Sequence, residues 1–384
     1  MKLLVISSAP VVEIDGKSHL YAPYEKEMQL WAKHADEIQF CCPVWREDKK
    51  LLIAPISFKV DGIVELQEFD ITSFFNKLKA IPFAFVALVK TYRAMKQADH
   101  IHLRCPGNIA LLACLVQVLF PNKKKTAKYA GNWDPNSQQP WSYRLQKWIL
   151  SNTFLTRNMQ VLVYGEWEGS SKNIKPFFTA TYSESEIQNS EFRIQNELSL
   201  RAKSRTNETL IHFLFVGTLS PGKQPLYAIQ LVEALYRQEK NVLLDLYGEG
   251  VLRTDLERYI AENKLETLIV LKGNQTKETL LKAYQSHHFL ILPSKSEGWP
   301  KVVAEAMFWG CVPIASAVSC VAYMMGNGSR GVVLQENLDQ DVRQIATIIN
   351  NQEQYKKMAS DGQSWSRQFT TDKFEIEIKK LLRG

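Results

Sequence analysis

The feature that most constrains the fold is an alternation of short apolar segments, loops and amphipathic segments that runs through both halves of the chain. Each apolar segment has the length of a buried strand, and each amphipathic segment has the apolar spacing of a helix that covers a sheet. Such alternation is typical of parallel sheets with helices packed on their faces. The sequence therefore predicts an α/β protein.

In the first half, the alternation predicts five strands and several helices. The strands are Lys2–Ser7, Glu37–Cys42, Asp99–Leu103, Thr126–Ala130 and Gln160–Val163. The helices include Pro23–Lys33, Pro82–Lys96 and Asn108–Leu119. A polar stretch from Glu184 to Glu208 has few large apolar side chains, and we expect it to connect two domains.

In the second half, the pattern begins again with a strand from Leu210 to Val216 and a helix that opens at Pro225. The later strands are Val242–Tyr247, Leu268–Leu271, Phe289–Leu292 and Val312–Ala315. Five strands with four intervening helices predict a doubly wound sheet, which binds ligands at the carboxyl ends of its strands. A length of 384 residues suits two such domains of roughly 150 residues or more each.

Composition excludes several classes of protein. Apolar residues make up 45% of the chain and charged residues 23%, which excludes a disordered chain, a collagen-like repeat and a coiled coil. The opening apolar run is too short for a signal peptide, and the runs Ile81–Val89 and Ile109–Phe120 are shorter than the roughly 18 to 20 residues that span a bilayer. We expect a cytoplasmic protein, soluble or peripheral on the inner face of the cell membrane.

The cysteines show no metal-ligand spacing. Most of the six lie in apolar strand-like or helix-like segments, which favours free buried thiols in a reducing cytosol over a zinc site or a disulfide framework. They are Cys41, Cys42, Cys105, Cys114, Cys311 and Cys320.

Positive charge is concentrated in the first half of the chain. The formal net charge is +7, but residues 71–133 alone carry ten Lys or Arg residues against one acid, Asp99, a local excess of nine. Either this segment is a solvated helix face balanced by acids elsewhere, or it is a surface that meets an anionic partner. The basic residues are Lys77, Lys79, Lys90, Arg93, Lys96, Arg104, Lys123, Lys124, Lys125 and Lys128.

The loop after the strand Phe289–Leu292 carries the most chemistry. A helix is expected to begin near Pro300 and to end at Gly310, and its free N–H groups and positive dipole end would suit a phosphate. Glu305 lies within that helix, where a carboxylate can accept two hydrogen bonds from a vicinal diol. Glu297 precedes the helix and could bind sugar hydroxyls, although both acids could equally cap and solvate a helix end.

Three further strand ends carry glycine-containing loops. Gly217 and Thr218 follow the strand that ends at Val216, and Lys223 closes that loop with a compact positive charge suited to a diphosphate. Each of these loops is common in α/β proteins, but their occurrence on four successive strand ends favours a ligand site. The other two are Gly248–Gly250 and the loop that contains Gly273.

The spacing of Glu297 and Glu305, within Pro-Ser-x-x-Glu-Gly and Glu-Ala-Met, resembles the E-x7-E signature of the GT4 family of retaining glycosyltransferases, which have the GT-B fold. Phe-Val-Gly-x-Leu with Lys223, the loop Gly248–Gly250 and the run Gly310–Ala315 extend the resemblance through the second half. In the first half the resemblance is looser and rests on the opening strand, the segment Ile101–Pro106 and a closing C-terminal helix.

The resemblance implies two Rossmann-like domains that face each other across a cleft. The first would be residues 1–190 joined by a C-terminal helix at 366–384, and would bind the acceptor. The second would be residues 205–365 and would bind a nucleoside-diphosphate sugar. Neither a resident metal nor a cofactor is expected, since no DxD-type loop is evident.

By position, the resemblance also assigns roles within the donor site. Glu305 would hold the ribose, Glu297 would contact the donor sugar, and Lys223 would hold the diphosphate, so that Glu297 and Lys223 are the candidate catalytic residues. The remaining candidate donor-binding residues are Gly217, Thr218, Gly248, Gly250, Gly273, Gly298, Trp299, Lys301 and Val302.

Three positions depart from the family pattern. Thr218 stands where many relatives have an Arg, so Lys301 or Arg330 could supply additional charge. Glu-Gly-Trp-Pro replaces the frequent Glu-Gly-Phe-Gly, and Pro300 removes one N–H donor. Arg104 lies near the position of a His that many relatives place close to the donor sugar, and His102, within an apolar run, is more typical of a buried core histidine.

The first half should hold the acceptor. Candidate residues are Arg104, Trp133, whose flat ring suits a sugar, and Asp134, which could accept a hydrogen bond from a hydroxyl. A buried Trp133 and an Asx turn at Asp134 are equally compatible with the sequence. The loop Ser8–Ala22 after the first strand is a further candidate.

The sequence thus predicts a retaining glycosyltransferase that moves a sugar from a nucleoside-diphosphate donor to a glycan or lipid-linked acceptor, in polysaccharide or glycoconjugate biosynthesis. A sugar-nucleotide epimerase or hydrolase and a non-catalytic partner subunit are the alternatives. Residues 71–133 interleave basic and aromatic side chains, which indicates an anionic membrane surface or acceptor as partner and not a nucleic acid.

Overall fold

The computed structural model of this chain describes residues 1–47, 49, 51–69, 74–187 and 210–383, and the side chains of residues 74–81 lie outside that description. The chain divides into two compact units. Met1–Phe178 and Phe374–Gly384 form the first, and Thr179–Lys373 form the second. Each unit has a parallel sheet of its own.

The elements of the first unit follow the predicted alternation. Its strands are β1 Lys2–Ser7, β2 Val11–Ile14, β3 Lys17–Tyr21, β4 Glu37–Cys42, β5 Val44–Trp45, β6 Ile53–Pro55, β7 Gly62–Glu65, β8 His100–Cys105, β9 Lys124–Tyr129, β10 Met159–Tyr164 and β11 Ile174–Phe177. Its helices are α1 Ala22–Ala32, α2 Phe74–Gln97, α3 Asn108–Val116, which continues as a 3₁₀ turn Gln117–Leu119, and α4 Trp141–Ser151.

Seven of these strands form one parallel sheet in the order β11-β10-β9-β8-β1-β4-β7. Strand β1 lies in the middle, and its residues from Leu3 to Ile6 are completely buried. Strands covered on both faces become apolar along their whole length, which is why the five predicted strands were visible in the sequence. All five form, with ends that differ from the prediction by at most two residues.

The segment Ser8–Ala22, expected to be a loop, instead contains a β-hairpin. Strands β2 and β3 pair antiparallel and join β5 and β6 in a separate sheet of order β5-β2-β3-β6. The turn is Asp15–Gly16, and both residues have positive φ, 51° and 70°. An Asp-Gly pair between apolar runs is a strong hairpin signal, so the sequence contained a signal for this turn.

Two helices differ from their predicted bounds. Helix α2 begins at Phe74 and contains Pro82, which the sequence had placed at its start. The C-terminal helix runs from Thr371 to Arg383 and does not begin at residue 366. Residue 366 is the last of a preceding helix, where the Ser366 hydroxyl donates to the Ala304 carbonyl at 2.6 Å.

The second unit repeats the plan of strand and helix. Its strands are β12 Ile211–Val216, β13 Val242–Tyr247, β14 Ile269–Gly273, β15 Phe289–Leu292, β16 Val312–Ser316 and β17 Val332–Leu334. Its helices are α5 Pro225–Arg237, α6 Arg253–Glu262, α7 Lys277–Ser286, α8 Lys301–Phe308, α9 Val321–Met324 followed by a 3₁₀ turn Gly326–Gly328, α10 Leu338–Asn350 and α11 Gln352–Ser366. The last helix, α12 Thr371–Arg383, belongs to the first unit from Phe374 onward.

These six strands form a parallel sheet in the order β14-β13-β12-β15-β16-β17. The five predicted strands are all present, and the sixth, β17, has only three residues, too few for its apolar pattern to be recognised. After the central strand β12, the chain adds β13 and β14 on one side of it and then β15, β16 and β17 on the other side. The switch point of this sheet therefore lies between the carboxyl ends of β12 and β15.

The boundary between the units differs from the expected connection at 184–208. Residues 179–187 belong to the second unit because their contacts lie there: the Tyr182 ring packs against Phe308 and Trp309, and the Tyr182 carbonyl accepts from the Thr371 N–H at 2.9 Å. Most of the expected connection, residues 188–208, lies outside the described residues.

Candidate functional site

The four loops predicted to carry chemistry follow four neighbouring strands of the second sheet. Strands β14, β13, β12 and β15 are adjacent, so their carboxyl ends meet along one edge. The loops after β12 and β15, which flank the switch point, carry Lys223 and Glu297. The structure thus brings the candidate donor residues of the second unit to the position where such sheets bind ligands.

Backbone hydrogen bonds join these loops to one another. The Gly217 N–H donates to the Tyr247 carbonyl at 3.0 Å, the Gly248 N–H to the Gly273 carbonyl at 2.9 Å, and the Lys295 N–H to the Gly222 carbonyl at 2.9 Å. These bonds fix the spacing of the loops without any ligand. The edge is therefore preorganised.

Gly248 and Gly250 serve this contact between loops. A Cβ at Gly248 would lie 1.9 Å from the Gly217 carbonyl oxygen, and one at Gly250 would lie 2.4 Å from the Leu219 oxygen. The sequence pattern favours glycines that leave room for a ligand. At these two positions the structure shows that the missing side chain makes room for the neighbouring loop.

Lys223 and Glu297 form an ion pair across the switch point. The Lys223 ammonium lies 2.5 Å from the Glu297 carboxylate, and the two side chains are 30% and 9% exposed. An ammonium on a flexible stem and a nearly buried carboxylate can each turn toward a ligand while they neutralise each other in its absence. The structure therefore joins the two candidate catalytic residues in one contact.

Glu305 lies in α8, one and a half turns from its start, and both of its carboxylate oxygens are engaged. The Thr181 hydroxyl donates to one oxygen at 2.8 Å, and the Tyr284 hydroxyl donates to the other at 2.9 Å. Burial and the negative charge of Glu305 raise the pKa of Tyr284, which keeps this phenol protonated as a donor. A carboxylate can accept about four hydrogen bonds, so Glu305 retains capacity for a diol.

Thr181 and Tyr284 were not found from the sequence. They lie 124 and 21 residues from Glu305, in segments that carry no motif. A cavity of about 10 Å³, room for roughly one water, is lined in part by Thr181, Lys301 and Glu305. Only the tertiary fold reveals these contacts.

Helix α8 begins at Lys301, directly after Pro300. Its first backbone bonds run from the N–H groups of Val303 and Ala304 to the Pro300 carbonyl, at 3.0 and 3.4 Å. The first backbone N–H groups of a helix, here those in the turn before Val303, have no carbonyl partner within the helix itself. Gly298 lies in the loop before this turn, and Lys301 and Val302 are half-buried within it.

Two residues named from the sequence have structural contacts that change their interpretation. The Trp299 indole is 7% exposed and packs against Trp365 and Phe369, so its ring belongs to the core. The Arg330 guanidinium donates to the Tyr323 and Met324 carbonyls at 2.8 and 2.9 Å. These two bonds hold the Arg330 side chain against the segment before it, and Thr218 is exposed.

In the first unit, Trp133 and Asp134 have structural contacts of their own. The Trp133 ring is buried against Tyr129, with a centroid distance of 4.9 Å. The Asp134 carboxylate accepts from the Asn136 N–H at 2.8 Å, as in an Asx turn. Of the two alternatives that the sequence left open at each position, the structure thus shows the buried Trp133 ring and the Asx turn at Asp134.

The basic segment 71–133 is not one continuous surface. Lys125 and Lys128 are buried, and Arg104 is mostly buried beside Glu27. Burial lowers the pKa of Lys125 to about 8, and its ammonium donates to two backbone carbonyls. The exposed part of the segment in the described residues therefore lies mainly on α2 and at Lys124.

The six cysteines are all buried free thiols, as expected. Within the described ranges, no cluster of three or more His, Cys, Asp or Glu side chains could hold a metal ion. Across the same residues, no helix combines the length and apolar character needed to cross a membrane.

Comparison with known proteins gives a family match in the second half. Residues 196–365 match the family described as Glycosyl transferases group 1. An uncharacterised glycosyltransferase of Methanocaldococcus jannaschii is 27% identical over 169 residues, which are 44% of this chain and 46% of the relative. A GDP-mannose:cellobiosyl-diphosphopolyprenol alpha-mannosyltransferase of Xanthomonas campestris is 25% identical over 167 residues, 38% of this chain and 42% of the relative. The chain thus matches less than half the length of either relative.

Comparison with solved structures shows the fold. The Anabaena protein HepE in complex with UDP has a TM-score of 0.65 and 16% identity, and the match covers 100% of this chain and 99% of that one. Together with the two parallel sheets, this similarity shows the GT-B architecture of two Rossmann-like domains.

Proposed function

We propose that the chain transfers a sugar from a nucleoside-diphosphate donor to a glycan or lipid-linked acceptor, with retention of configuration at the sugar carbon, because residues 196–365 match the family described as Glycosyl transferases group 1. The observation that carries the proposal is the Lys223–Glu297 pair at the switch point of the second sheet. This pair places one cation and one hydrogen-bond acceptor where a diphosphate and its sugar would lie side by side.

Two comparisons support a nucleoside-diphosphate donor. The Xanthomonas campestris relative is named for GDP-mannose, and HepE was solved in complex with UDP. Both ligands contain a ribose and a diphosphate, and the second unit offers a carboxylate for the ribose and an ammonium for the diphosphate. The site therefore suits the part of the donor that these ligands share.

The proposed roles follow from charge. When the bond between the sugar carbon and the diphosphate breaks, negative charge accumulates on the diphosphate, and the Lys223 ammonium and the first turn of α8 stabilise it. Glu297 accepts hydrogen bonds from the sugar hydroxyls, and Glu305 accepts them from the ribose. The acceptor oxygen attacks from the face that the leaving group vacates, and a diphosphate oxygen takes its proton. No resident metal or cofactor enters this proposal.

The remaining candidate donor residues form the walls of this site. The loops at Gly217 and Thr218, at Gly248 and Gly250 and at Gly273 would border the base, and the backbone around Gly298 would lie beside the diphosphate. Because backbone bonds already join the first three loops, donor binding needs little rearrangement of this edge.

A donor panel tests the proposal. We expect UDP-glucose or GDP-mannose to raise the melting temperature of the full chain, because a ligand at 100 times its Kd adds about 2.7 kcal/mol of stability. Proton NMR of the product should then show the anomeric configuration of the donor. Inversion would contradict the proposed mechanism.

Controls separate the alternatives. Glu305→Ala should remove the nucleotide-dependent stabilisation, whereas Glu266→Ala, at an exposed position of the same unit, should keep it. Donor turnover that needs no acceptor would indicate an epimerase or hydrolase. Nucleotide binding without turnover would indicate a non-catalytic subunit.

We also propose that α2 lies against an anionic membrane surface, at the inner face of the cell membrane. Lys90, Arg93 and Lys96 are exposed on it, and Phe83 and Phe85 expose 41% and 67% of their surface. Basic and aromatic side chains on one helix are typical of interfacial binding.

Vesicle sedimentation tests this contact. We expect the chain to sediment with vesicles of phosphatidylcholine and phosphatidylglycerol, and the triple variant K90Q/R93Q/K96Q to lose about 100-fold in partitioning, at about 1 kcal/mol per basic residue. The charge-matched control K264Q/K356Q/K357Q, at exposed positions of the second unit, should bind like the wild type. Equal binding to phosphatidylcholine alone would contradict the electrostatic contact.

A further inference from the structure

Three polar side chains lie in one row across the middle of the first sheet. Ser7 pairs with Arg104, and Arg104 pairs with Lys128, on the adjacent parallel strands β1, β8 and β9. Register partners on parallel strands face the same side of a sheet. Helix α1 places Glu27 over this row, within ion-pair distance of both cations. The result is a buried charged cluster near the carboxyl ends of the three strands.

Lys128 is the cation that neutralises Glu27. Its ammonium lies 2.8 Å from Oε2 of Glu27, whereas the Arg104 guanidinium lies 3.3 Å from the same oxygen. The Lys128 side chain is 1% exposed, and its ammonium is surrounded by aromatic rings. These rings belong to Tyr164, Phe177 and Phe374, with centroids 5.7, 5.9 and 5.1 Å away.

The positive charge of Arg104 is therefore in excess within the cluster. Glu27 is the only carboxylate that Arg104 contacts in the described part of the chain, and Arg104 shares it with Lys128. His102, two residues from Arg104 on β8, adds no charge near neutral pH, because burial lowers its pKa to about 3. One carboxylate faces two cations, and a net charge of +1 remains at Arg104.

Arg104 also has unused hydrogen-bond donors. A guanidinium carries five N–H donors, and across the described residues Arg104 uses one of them, from Nη1 to Glu27. Its side chain is only 19% exposed, and the Tyr24 ring lies 4.1 Å from its central carbon, which fixes the guanidinium plane. Buried guanidinium groups normally find several acceptors. Arg104 is thus held in place with most of its donors available.

The position of Arg104 in the sheet is that of a ligand-binding residue. From the central strand β1 the chain continues to β4 on one side and reaches β8 on the other, so the switch point of this sheet lies between β1 and β8. Ser8 directly follows β1 there, and its hydroxyl oxygen is buried without a hydrogen-bond partner among the described residues. A guanidinium with unused donors and a hydroxyl without a partner thus lie at the ends of two adjacent strands, where doubly wound sheets bind ligands.

We propose that Arg104 binds an acidic group, a carboxylate or a phosphate, on the sugar acceptor. This inference rests on the proposed function and narrows the acceptor to an anionic one. The planar fork of a guanidinium matches two oxygens of such a group, and the excess charge of the cluster favours an anion over a neutral sugar. A uronic acid in a glycan and a sugar phosphate both present this chemistry.

Calorimetric titration of the full chain with three simple probes tests the proposal. The probes are glucose, glucuronic acid and glucose 1-phosphate, and saturating UDP is present to fill the site of the second unit. We expect at least one acidic probe to bind about tenfold or more tightly than glucose, as a charge-assisted bidentate contact requires. The tighter acid identifies the source of the anion. Equal binding of all three probes would overturn the proposal.

Arg104→Gln should remove the preference for the acidic probe. This variant leaves the Lys128–Glu27 pair intact and neutral, so we expect it to fold and to bind UDP like the wild type. Lys223→Ala should keep the acid preference, because Lys223 belongs to the other unit. Arg104→Lys retains the charge without the fork and should keep part of the preference. An acid preference that persists in R104Q would overturn the assignment to Arg104.

The two proposals fail in distinguishable ways. If the wild type transfers sugar but R104Q retains the acid preference, the anion site is wrong and the proposed function stands. If the chain transfers nothing while R104Q abolishes acid binding, the site stands and the proposed function fails.

Discussion

Replacing Lys223 with alanine is expected to lower kcat/KM for sugar transfer by about 10²–10³-fold, and to leave the fold intact. A preorganised charge that stabilises developing negative charge contributes about 3–4 kcal/mol to the transition state. The variant also leaves Glu297, 9% exposed, without its cation. An unpaired carboxylate at this position would repel the diphosphate, so both effects act in the same direction.

The two effects can be separated. Glu297→Gln removes the carboxylate charge, and the double variant K223A/E297Q has neither charge. If repulsion by the stranded carboxylate contributes, the double variant should be more active than expected from the two single losses.

The control for Lys223 is Lys295→Ala. Lys295 is exposed on the loop after β15, and its backbone N–H bonds to Gly222, so it lies close by in the same unit. We expect K295A to have the activity of the wild type in steady-state assays, and circular dichroism to show the same fold for both variants. Full kcat/KM in K223A would refute the donor-site assignment.

Glu27→Gln is expected to destabilise the chain by about 3–5 kcal/mol at neutral pH. The substitution preserves the shape of the side chain but leaves the Arg104 and Lys128 charges buried without a counterion, which is the costly way to break a buried pair. Urea denaturation at pH 7 measures the loss. Adding Arg104→Gln to the Glu27→Gln variant removes one of the two positive charges that lack a counterion, and should recover part of the lost stability.

Glu25→Gln is the matched control, since it makes the same change two residues away on α1. The Glu25 carboxylate is also buried, but it accepts hydrogen bonds from the Ser57 N–H at 3.0 Å and the Ser57 hydroxyl at 2.6 Å. A glutamine oxygen can accept both bonds, so we expect a loss of about 1 kcal/mol or less. Equal losses in the two variants would contradict the role of Glu27 as a counterion.

The effect of Glu27 should depend on pH. Burial alone would raise the pKa of this carboxyl, but Lys128 and Arg104 outweigh it and hold the pKa at about 2, below its usual value. The folded state therefore favours the ionised form, and its stabilisation is complete above the unfolded pKa of about 4.3. The difference in stability between wild type and E27Q should shrink as the pH falls from about 4 to about 2.

Local patterns were sufficient to predict the elements that surround the site. Buried parallel strands such as β13 and β15 are rich in apolar residues, and both were predicted with their observed ends. The Glu297–Glu305 spacing and Lys223 were visible because each lies beside such a strand. Helix α8 also begins one residue after the Pro300 that predicted it.

The contacts of the site were beyond local patterns. Glycines at 248 and 250 were expected to face a ligand, and they instead let adjacent loops approach each other. The sequence was compatible with Trp133 either in the core or exposed as a platform for a sugar ring, and the structure shows that its side chain is buried in the core. These outcomes depend on which loops the strand order brings together, and a window of neighbouring residues does not contain that information.

Glu27 was missed although the sequence contained a signal. It lies on α1 with Tyr24, Met28 and Trp31, at helical spacing, and all three of these side chains are buried. A carboxylate on the buried stripe of a helix requires a cation or hydrogen-bond donors, because an unpaired buried charge is too costly. The sequence does not say which cation, since Arg104 and Lys128 lie 77 and 101 residues away.

By itself the sequence determined two parallel α/β units, the ends of their main strands and the residues that gather at the edge of the second sheet. These follow from apolar periodicity and turn chemistry, which act over a few neighbouring residues. Only the tertiary structure decided that Lys223 pairs with Glu297, that Thr181 and Tyr284 hold Glu305, and that Arg104 keeps an excess charge beside Glu27. Those contacts depend on strand order and register, which join side chains far apart in the chain, and the ion pair or hydrogen bond exists only once the sheet has formed.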